Sequence, residues 1–444
     1  MKILRPKYKL TKRSYYVFIT LILLMMLAYF DYKFTFIAMP ALWLTIILVF
    51  ADFMLLLLGG KAVNTKRHLN KLFSNGDHNP VTIEISNNYN FKIKAQIIDE
   101  LPPELQIRDF SLQLRLNEFD VKTLEYTVRP VKRGEYNFGN IVTLVTSPLG
   151  LIYRVFISKV AQTVKVYPSF VKLPELALKS FADINSINGF RPIRSMGYNM
   201  EFEQIKEYVP GDEIRHINWK ATARKNKLMV NEFQEEKAQH VYCVIDMGRT
   251  MEMPFEGMSL LDYAVNASLA LSQVILKNND KAGLITFNKE LHTIVKADNR
   301  QNHLNTIMEN LYLLKTDFHE SFPEAIYPAI RRNLTGRSLL LFFVNYESVY
   351  ALKRQLPFFT ALGRRHLLVL VNFVNTEVKN TAISESKDIE GIYRKTIAGE
   401  FLREKEVFLQ NLMHYGIYYV METPDNIGVH TINKYLEIKA RGLL

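Results

Sequence analysis

Two apolar runs near the N-terminus, Tyr15–Phe30 and Phe34–Leu58, constrain this chain more than any other feature. A helix needs about 20 consecutive apolar residues to cross the hydrocarbon core of a bilayer. The second run exceeds that length and the first lies near its lower limit. Only Asp31, Tyr32 and Lys33 separate them, so the spacing predicts a tight transmembrane hairpin over 15–58. No small-residue cleavage site precedes the second run, which argues against a cleaved signal peptide. Lys and Arg cluster before the first run and after the second. The positive-inside rule therefore puts both ends in the cytoplasm, with residues 1–14 as a basic tail at the cytoplasmic (inner) membrane. Asp52 falls inside the second run, where a carboxylate is a functional suspect. The favoured alternative ends the span near residue 53 and leaves Asp52 at the interface.

The net charge of +12 points to nucleic acid only until it is located. Residues 1–71 hold eleven cations against Asp31 and Asp52, so +9 of the charge flanks the apolar runs. A basic stripe on a folded face is missing, and nucleic-acid binding loses its support. A single cysteine, Cys243, lies in an apolar run. That excludes a disulfide framework or a cysteine zinc cluster and suggests a buried structural thiol in a reducing compartment.

Residues 65–170 read as an all-β, immunoglobulin-like sandwich. Short β-branched or alternating runs (Val81–Ile85, Phe91–Ile98, Thr123–Val128, Ile141–Val145, Gln162–Tyr167) are separated by turn signals such as Pro102-Pro103 and Ser147-Pro148-Leu149-Gly150. Residues 171–236 read as a connector. From 237 to 444 apolar strand runs alternate with amphipathic helical segments, beginning with Val241–Asp246 and Leu260–Leu276. This pattern predicts an α/β domain with a doubly wound, mostly parallel sheet.

Two segments carry recognisable chemistry. The first is E-Y-V-P-G-D-E-I-R-H-I-N-W-K-A-T-A-R, residues 207–224. Pro210 and Gly211 suit a type II turn, and Asp212 is placed to cap a helix that begins Glu213-Ile214-Arg215. On one such helix Arg215 and Trp219 share a face, and Lys220 and Arg224 suggest an anion or acidic-partner surface. Residues 189–237 nevertheless hold nine cations and eight carboxylates. The favoured reading is an ion-paired clip: Arg215 or Arg224 bonded to Glu207 or Glu232, with Trp219 buried against the sheet.

The second segment, Asp246-Met247-Gly248-Arg249-Thr250, follows a strand end, where α/β folds bind ligands. One carboxylate plus hydroxyls suits Mg²⁺, and a full site of this type would read Asp-x-Ser-x-Ser. Gly248 lacks the hydroxyl. Asn345 stands where a further carboxylate would help, and Thr316 and Asp317 are candidates for the remaining loop. The alternative is an Asp that merely caps the next turn. Phosphate-loop, dinucleotide, nucleophile-elbow and H-E-x-x-H motifs are all missing, so an enzyme is not expected.

Residues 207–224, Leu228–Glu236 and D-M-G-R-T-M closely resemble the signature of the domain of unknown function fifty-eight family. The likeness runs back through V-K-R-G-E-Y-N-F-G (131–139), S-P-L-G-L (147–151) and V-Y-P-S (166–169), and forward to Thr316–Ser321 and Arg337–Asn345. It implies a membrane-anchored protein with a von Willebrand factor A-like domain that accompanies a MoxR-type AAA+ ATPase. It also implies an incomplete metal-ion-dependent adhesion site, in which Asp246 and Thr250 match and Gly248 and Asn345 depart. The expected function is a membrane-tethered adaptor, with Mg²⁺ as its one candidate cofactor. Its expected partners are that ATPase, other membrane or envelope proteins and the lipid bilayer. The alternative is a structural scaffold of a bacterial envelope complex with a vestigial metal site.

Overall fold

Thr11 starts the first helix, its hydroxyl accepting from the Ser14 N–H at the N-terminus of α1 (Lys12–Phe30). Asp31 ends it, accepts from the Lys33 N–H at 3.0 Å and turns the chain into α2 (Thr35–Leu58). Both helical stretches are long and apolar enough to cross a membrane. The computed structural model describes residues 8–58, 63–169, 200–210, 212, 214–235, 238–316, 319–334, 336–384 and 388–443. It divides into two units, Met1–Val171 and Lys172–Leu444.

Apart from its two helices and two short 3-10 turns, the first unit is all-β among the described residues. Strand β1 (Tyr8–Leu10) precedes α1. After α2 come β2 (Val63–Leu69), β3 (Leu72–Ser74), β4 (Asn79–Asn87), β5 (Ile93–Asp99), β6 (Ser111–Leu116) and β7 (Val121–Val128). The last four are β8 (Gly134–Phe138), β9 (Ile141–Thr146), β10 (Ile152–Ser158) and β11 (Gln162–Tyr167). They form sheets ordered β1-β10-β9-β5-β6, β2-β4-β7 and β3-β11-β8. Period-2 alternation drives this layering: β4 buries every second residue, and Ile83 and Ile85 join Ile93 and Ile97 in one core. Residues 8–10, read from the sequence as part of a basic tail, instead pair with β10 as an edge strand.

The end of α2 is built into that core. Leu56 is fully buried among the sandwich side chains. Its carbonyl accepts from the Tyr89 hydroxyl at 3.0 Å and from Arg154 Nη1 at 2.6 Å, which satisfies one of the helix's orphan carbonyls. Asp52 is also fully buried. It accepts from the Ser147 hydroxyl, from the Leu151 N–H at 2.8 Å and from the Ile152 N–H at 2.7 Å. The interface reading of Asp52 supplied water; the sandwich supplies the donors instead, and α2 runs on to Leu58.

The second unit opens with an antiparallel ribbon, β12 (Met200–Glu207) and β13 (Met229–Glu235), inside the stretch expected to be a connector. Between its strands lies α3 (Trp219–Lys225). A six-stranded sheet follows: β14 (His240–Asp246), then, after the small ribbon β15 (Pro254–Phe255) and β16 (Met258–Ser259), β17 (Lys281–Phe287), β18 (Leu291–Asp298), β19 (Leu339–Val344), β20 (Leu367–Phe373) and β21 (Ile417–Glu422). Its order is β18-β17-β14-β19-β20-β21, parallel except for the antiparallel edge strand β18. The intervening helices are α4 (Leu260–Lys277), α5 (His303–Leu313), α6 (Tyr327–Asn333), α7 (Val349–Gly363), α8 (Thr376–Ile383), α9 (Ile389–Leu412) and α10 (Ile427–Ala440). Tyr242, Val244 and Phe342 pack with Ile330 of α6, Phe358 and Phe359 of α7 and Leu409 of α9. Cys243, on the opposite parity of β14, turns its sulfur to the Ser268 carbonyl of α4. Burial pushes its thiol up to about 12, so it is an inert structural group.

Replacing Asp52 by Ala strands two buried backbone N–H groups, a loss on the order of 3 kcal/mol. Hydrogen exchange on the detergent-solubilised chain should show the Leu151 and Ile152 amides losing protection in Asp52→Ala. Unchanged protection would mean the turn is held without the carboxylate.

Candidate functional site

The run V-Y-C-V-I of β14 is buried throughout and delivers Asp246 to the carboxyl edge of the sheet. The chain passes from β14 to β17 on one side and reaches β19 on the other, so the strand order reverses between β14 and β19. In open α/β sheets that reversal leaves a crevice beyond the strand ends, which is where ligands bind. Asp246 and Asn345 follow one another across it, at the end of β14 and just past the end of β19.

Asp246 is 4% exposed. Its Oδ1 accepts from the Gly248 N–H at 2.8 Å and from the Ser321 hydroxyl. Among the described residues its Oδ2 has no hydrogen-bond partner. Desolvation outweighs both hydrogen bonds and raises the carboxyl to about 6. Ser321 arrives on a loop fastened by Arg249 N–H to His319 O and by Phe322 N–H to Asn288 O, each 3.0 Å. Gly248 has φ −74°, an ordinary conformation for any residue, so its lack of a side chain is a matter of space. A Cβ there would overlap Ser321 Oγ. The space that a side chain at 248 would take is held by the hydroxyl of Ser321, 73 residues further along the sequence.

The other expected ligands are arranged differently. Thr250 lies in a 3-10 turn, Arg249–Glu252, and its carbonyl accepts from Asn345 Nδ2 at 3.0 Å. Asn345 therefore braces that turn with its amide nitrogen. Thr316 is half-buried and has no hydrogen bond to Asp246, and Asp317 lies outside the described residues. Among the described residues no three His, Cys, Asp or Glu side chains form a metal-ligating group. Sequence reasoning missed Ser321, whose only signal was its place at the end of the Thr316–Ser321 segment. It also missed Tyr346, whose buried hydroxyl has no partner among the described residues. Burial, then the charges of Asp246 and Glu324, hold that phenol well above its usual range.

The signature segment departs from the clip reading. Glu207 pairs with Lys227 at 2.7 Å. Arg224 is exposed and makes no ion pair among the described residues, while the side chains of Arg215 and Glu232 lie outside them. Trp219 is 69% exposed, so it is not buried against the sheet. Asp212 caps no helix. It closes the turn over Pro210 by accepting from the Val209 N–H at 3.0 Å, and Lys206 lies 3.3 Å away. The Val209 N–H, with help from Lys206, holds its carboxyl below the usual range. Gly211 lies outside the described residues. A 3-10 turn, Ile214–His216, ends before Asn218 caps α3, so Arg215 and Trp219 do not share one helix.

Because the folded carboxyl of Asp246 titrates near 6 and the unfolded one near 3.8, the native state favours the neutral form. That stabilisation is complete below the unfolded value and is lost as pH rises through about 6. Relative to Asp246→Asn, the native chain should lose on the order of 3 kcal/mol between about pH 4 and pH 7, read from denaturant melts across that range. Gly248→Ala should displace Ser321 and cost about 1–2 kcal/mol. Removing the hydroxyl as well (Gly248→Ala with Ser321→Ala) should add little further loss, a coupling that a double-mutant cycle measures.

Comparison with known proteins ties part of the chain to a family. Residues 204–335 match the family described as protein of unknown function DUF58. That span is narrower than the motif likeness, which runs from Val131 to Asn345. The uncharacterized protein YeaD of Bacillus subtilis (strain 168) is 25% identical over 237 residues, 52% of this chain and 57% of YeaD. The uncharacterized protein Rv1480 of Mycobacterium tuberculosis is 24% identical over 115 residues, 26% of this chain and 36% of that protein. The chain thus spans between about a third and just over half of the length of these relatives. Among solved structures, the conserved hypothetical protein BatB from Bacteroides thetaiotaomicron is similar at 16% identity and TM-score 0.30. That match covers 46% of this chain and all 100% of BatB. The CARDB domain of PF1109 from Pyrococcus furiosus is similar at 11% identity and TM-score 0.17, over 24% of this chain and 94% of that domain. Residues 204–335, which hold both the signature segment and the Asp246 crevice, are the part of the chain that carries the family likeness.

Proposed function

We propose that this chain is a membrane-anchored protein-interaction module, an adaptor and not an enzyme. In this reading its C-terminal unit is von Willebrand factor A-like and presents the Asp246 crevice to a partner protein. One observation carries it: a buried carboxyl at the strand-order reversal has one oxygen locked by Gly248 and Ser321, and the other has no hydrogen-bond partner among the described residues. Mg²⁺ suits such a site, because it takes hard oxygen donors and retains several waters. Asp246 Oδ2 and the Ser321 hydroxyl would be its donors, with Thr250 the third candidate from the motif resemblance. A cation would favour the charged carboxylate and reverse the effect of burial on its titration. A carboxylate from the partner would then complete the coordination, which makes partner binding metal-dependent.

The MoxR-type AAA+ ATPase implied by the motif resemblance is the first candidate partner, with other membrane or envelope proteins next. The Lys/Arg clusters flanking the hairpin support two spans in the inner membrane with both termini cytoplasmic. A structural scaffold of an envelope complex is the second reading. It is favoured by the hydrogen bonds Ser321–Asp246 and Asn345–Thr250, which fill the crevice with the chain's own groups.

Thermal melts of the full chain in detergent separate the two. With Mg²⁺ at about 100 times its Kd, the interaction reading expects about 2.7 kcal/mol of added stability over EDTA, absent in Asp246→Asn. Superimposable melts in Mg²⁺ and EDTA would leave the scaffold reading. Co-purification of the ATPase from native membranes should likewise be lost in Asp246→Ala.

A further inference from the structure

Helix α3 is fastened to the ribbon by its polar residues and shows its aromatic residue to solvent. Asn218 caps it through the Ala221 N–H at 3.0 Å and bonds Asn231 of β13 at 2.8 Å. One turn later the Thr222 hydroxyl accepts from the Met229 N–H of β13 at 3.0 Å. Asn218 and Thr222, four apart, are therefore the inward face. Trp219 with Ala223, and Lys220 with Arg224, are the neighbouring i, i+4 pairs, and all four are exposed. Among the described residues Trp219 is 69% exposed. Indole rings are among the largest contributors to cores and interfaces, and one held out on a short, well-anchored helix is placed for contact.

Among the described residues the outward charges of this face are unanswered. Lys206 is spent on Asp212 and Lys227 on Glu207. Lys220, Arg224 and Lys225 make no ion pair among the described residues. The outward face thus combines one large ring, a small residue beside it at Ala223, and cations one helical turn apart. That spacing matches carboxylates one turn apart on a partner helix, and the guanidinium fork of Arg224 suits a carboxylate geometrically. A nucleic-acid backbone would require a longer row of cations, and residues 189–237 as a whole are almost charge-balanced.

We propose that the Trp219–Lys220–Ala223–Arg224 face is a docking surface for an acidic protein segment, whose carboxylates meet Lys220 and Arg224 while an apolar side chain packs on Trp219 over Ala223. This surface shares no residue with the Asp246 crevice and is independent of any metal there.

The chain has two tryptophans, Trp43 and Trp219. Trp43→Phe leaves Trp219 as the sole indole reporter on its own site. The full Trp43→Phe chain, in phosphatidylcholine nanodiscs, is titrated with a synthetic helical peptide carrying Glu pairs one turn apart beside Leu. The expected result is a saturable blue shift of Trp219 emission, reduced acrylamide quenching, and weakening by salt. The same peptide with Gln for Glu should produce no shift. Lys220→Glu with Arg224→Glu, both at exposed positions and checked for folding by circular dichroism, should weaken binding about tenfold or more. Asp246→Ala should leave the titration unchanged, which separates this surface from the metal-site reading. No shift with the acidic peptide, or an equal shift with the Gln peptide, would overturn the proposal. A blue shift on adding phosphatidylglycerol to the nanodisc, with none from the peptide, would assign the face to the bilayer and overturn it equally.

Discussion

A carboxylate fixed in an apolar helix decides how the first unit is assembled. Asp52 cannot be buried without donors, because an unanswered charge in a low-dielectric interior costs several kcal/mol. The turn Ser147–Leu151 is shaped to answer it. Gly150 takes φ +73°, a left-handed value open to glycine, and the next two backbone N–H groups converge on one carboxylate oxygen. The same turn holds the other helix. Thr11 donates its hydroxyl to the Gly150 carbonyl at 2.6 Å and its N–H to Leu151 O at 2.9 Å, and the Ser14 hydroxyl also donates to Leu151 O. The start of α1, the last turns of α2 and the sandwich therefore meet at one five-residue loop, and the hairpin is locked to the β-sandwich it precedes.

Asp246 in the second unit uses the same elements and ends differently. Both are nearly or wholly buried carboxyl groups, and both meet a backbone N–H and a serine hydroxyl from a distant loop. Asp52 has donors on both oxygens. Among the described residues Asp246 has donors on Oδ1 alone, and burial lifts its titration toward neutrality. A closed carboxylate fastens two elements. One with an unspent oxygen at a strand-order reversal retains capacity for a guest, and this contrast distinguishes the structural aspartate from the functional candidate.

Much of this was legible in the sequence. The apolar runs gave the hairpin, and buried strands alternating with helical periods gave the sheet and the position of Asp246, because length and periodicity are local. What escaped was non-local. Ser321 reaches Asp246 only because the loop after α5 folds back over the strand end, and no spacing rule links positions 75 apart. Strand β1 has three residues and becomes a strand only by pairing with β10. Trp219 misled for a different reason. A packed Trp beside Arg–carboxylate pairs is a common structural device, yet here Asn218 and Thr222 bind the ribbon through hydrogen bonds and leave the ring outside.

The presence of a hydroxyl at position 321, with none at 248, also affects how the crevice responds to a guest. A serine at 248 would sit on the same turn as Asp246 and move with it. Ser321 sits on a separate loop, tied to the Asp246 turn by Arg249–His319 and to the β17 end by Phe322–Asn288. While its hydroxyl donates to Asp246, the loop is drawn onto the carboxyl. A cation bound through Oδ2 and a lone pair of the Ser321 hydroxyl leaves the Ser321 proton free to stay on Oδ1, so cation and hydrogen bond would together hold the loop against the carboxyl. On the proposed reading, occupancy of the crevice is thereby coupled to the loop at 319–322. With the hydroxyl coming from 321, the proposed ligand is also a contact between two loops, and on that reading a partner gripping one of them would act on the other.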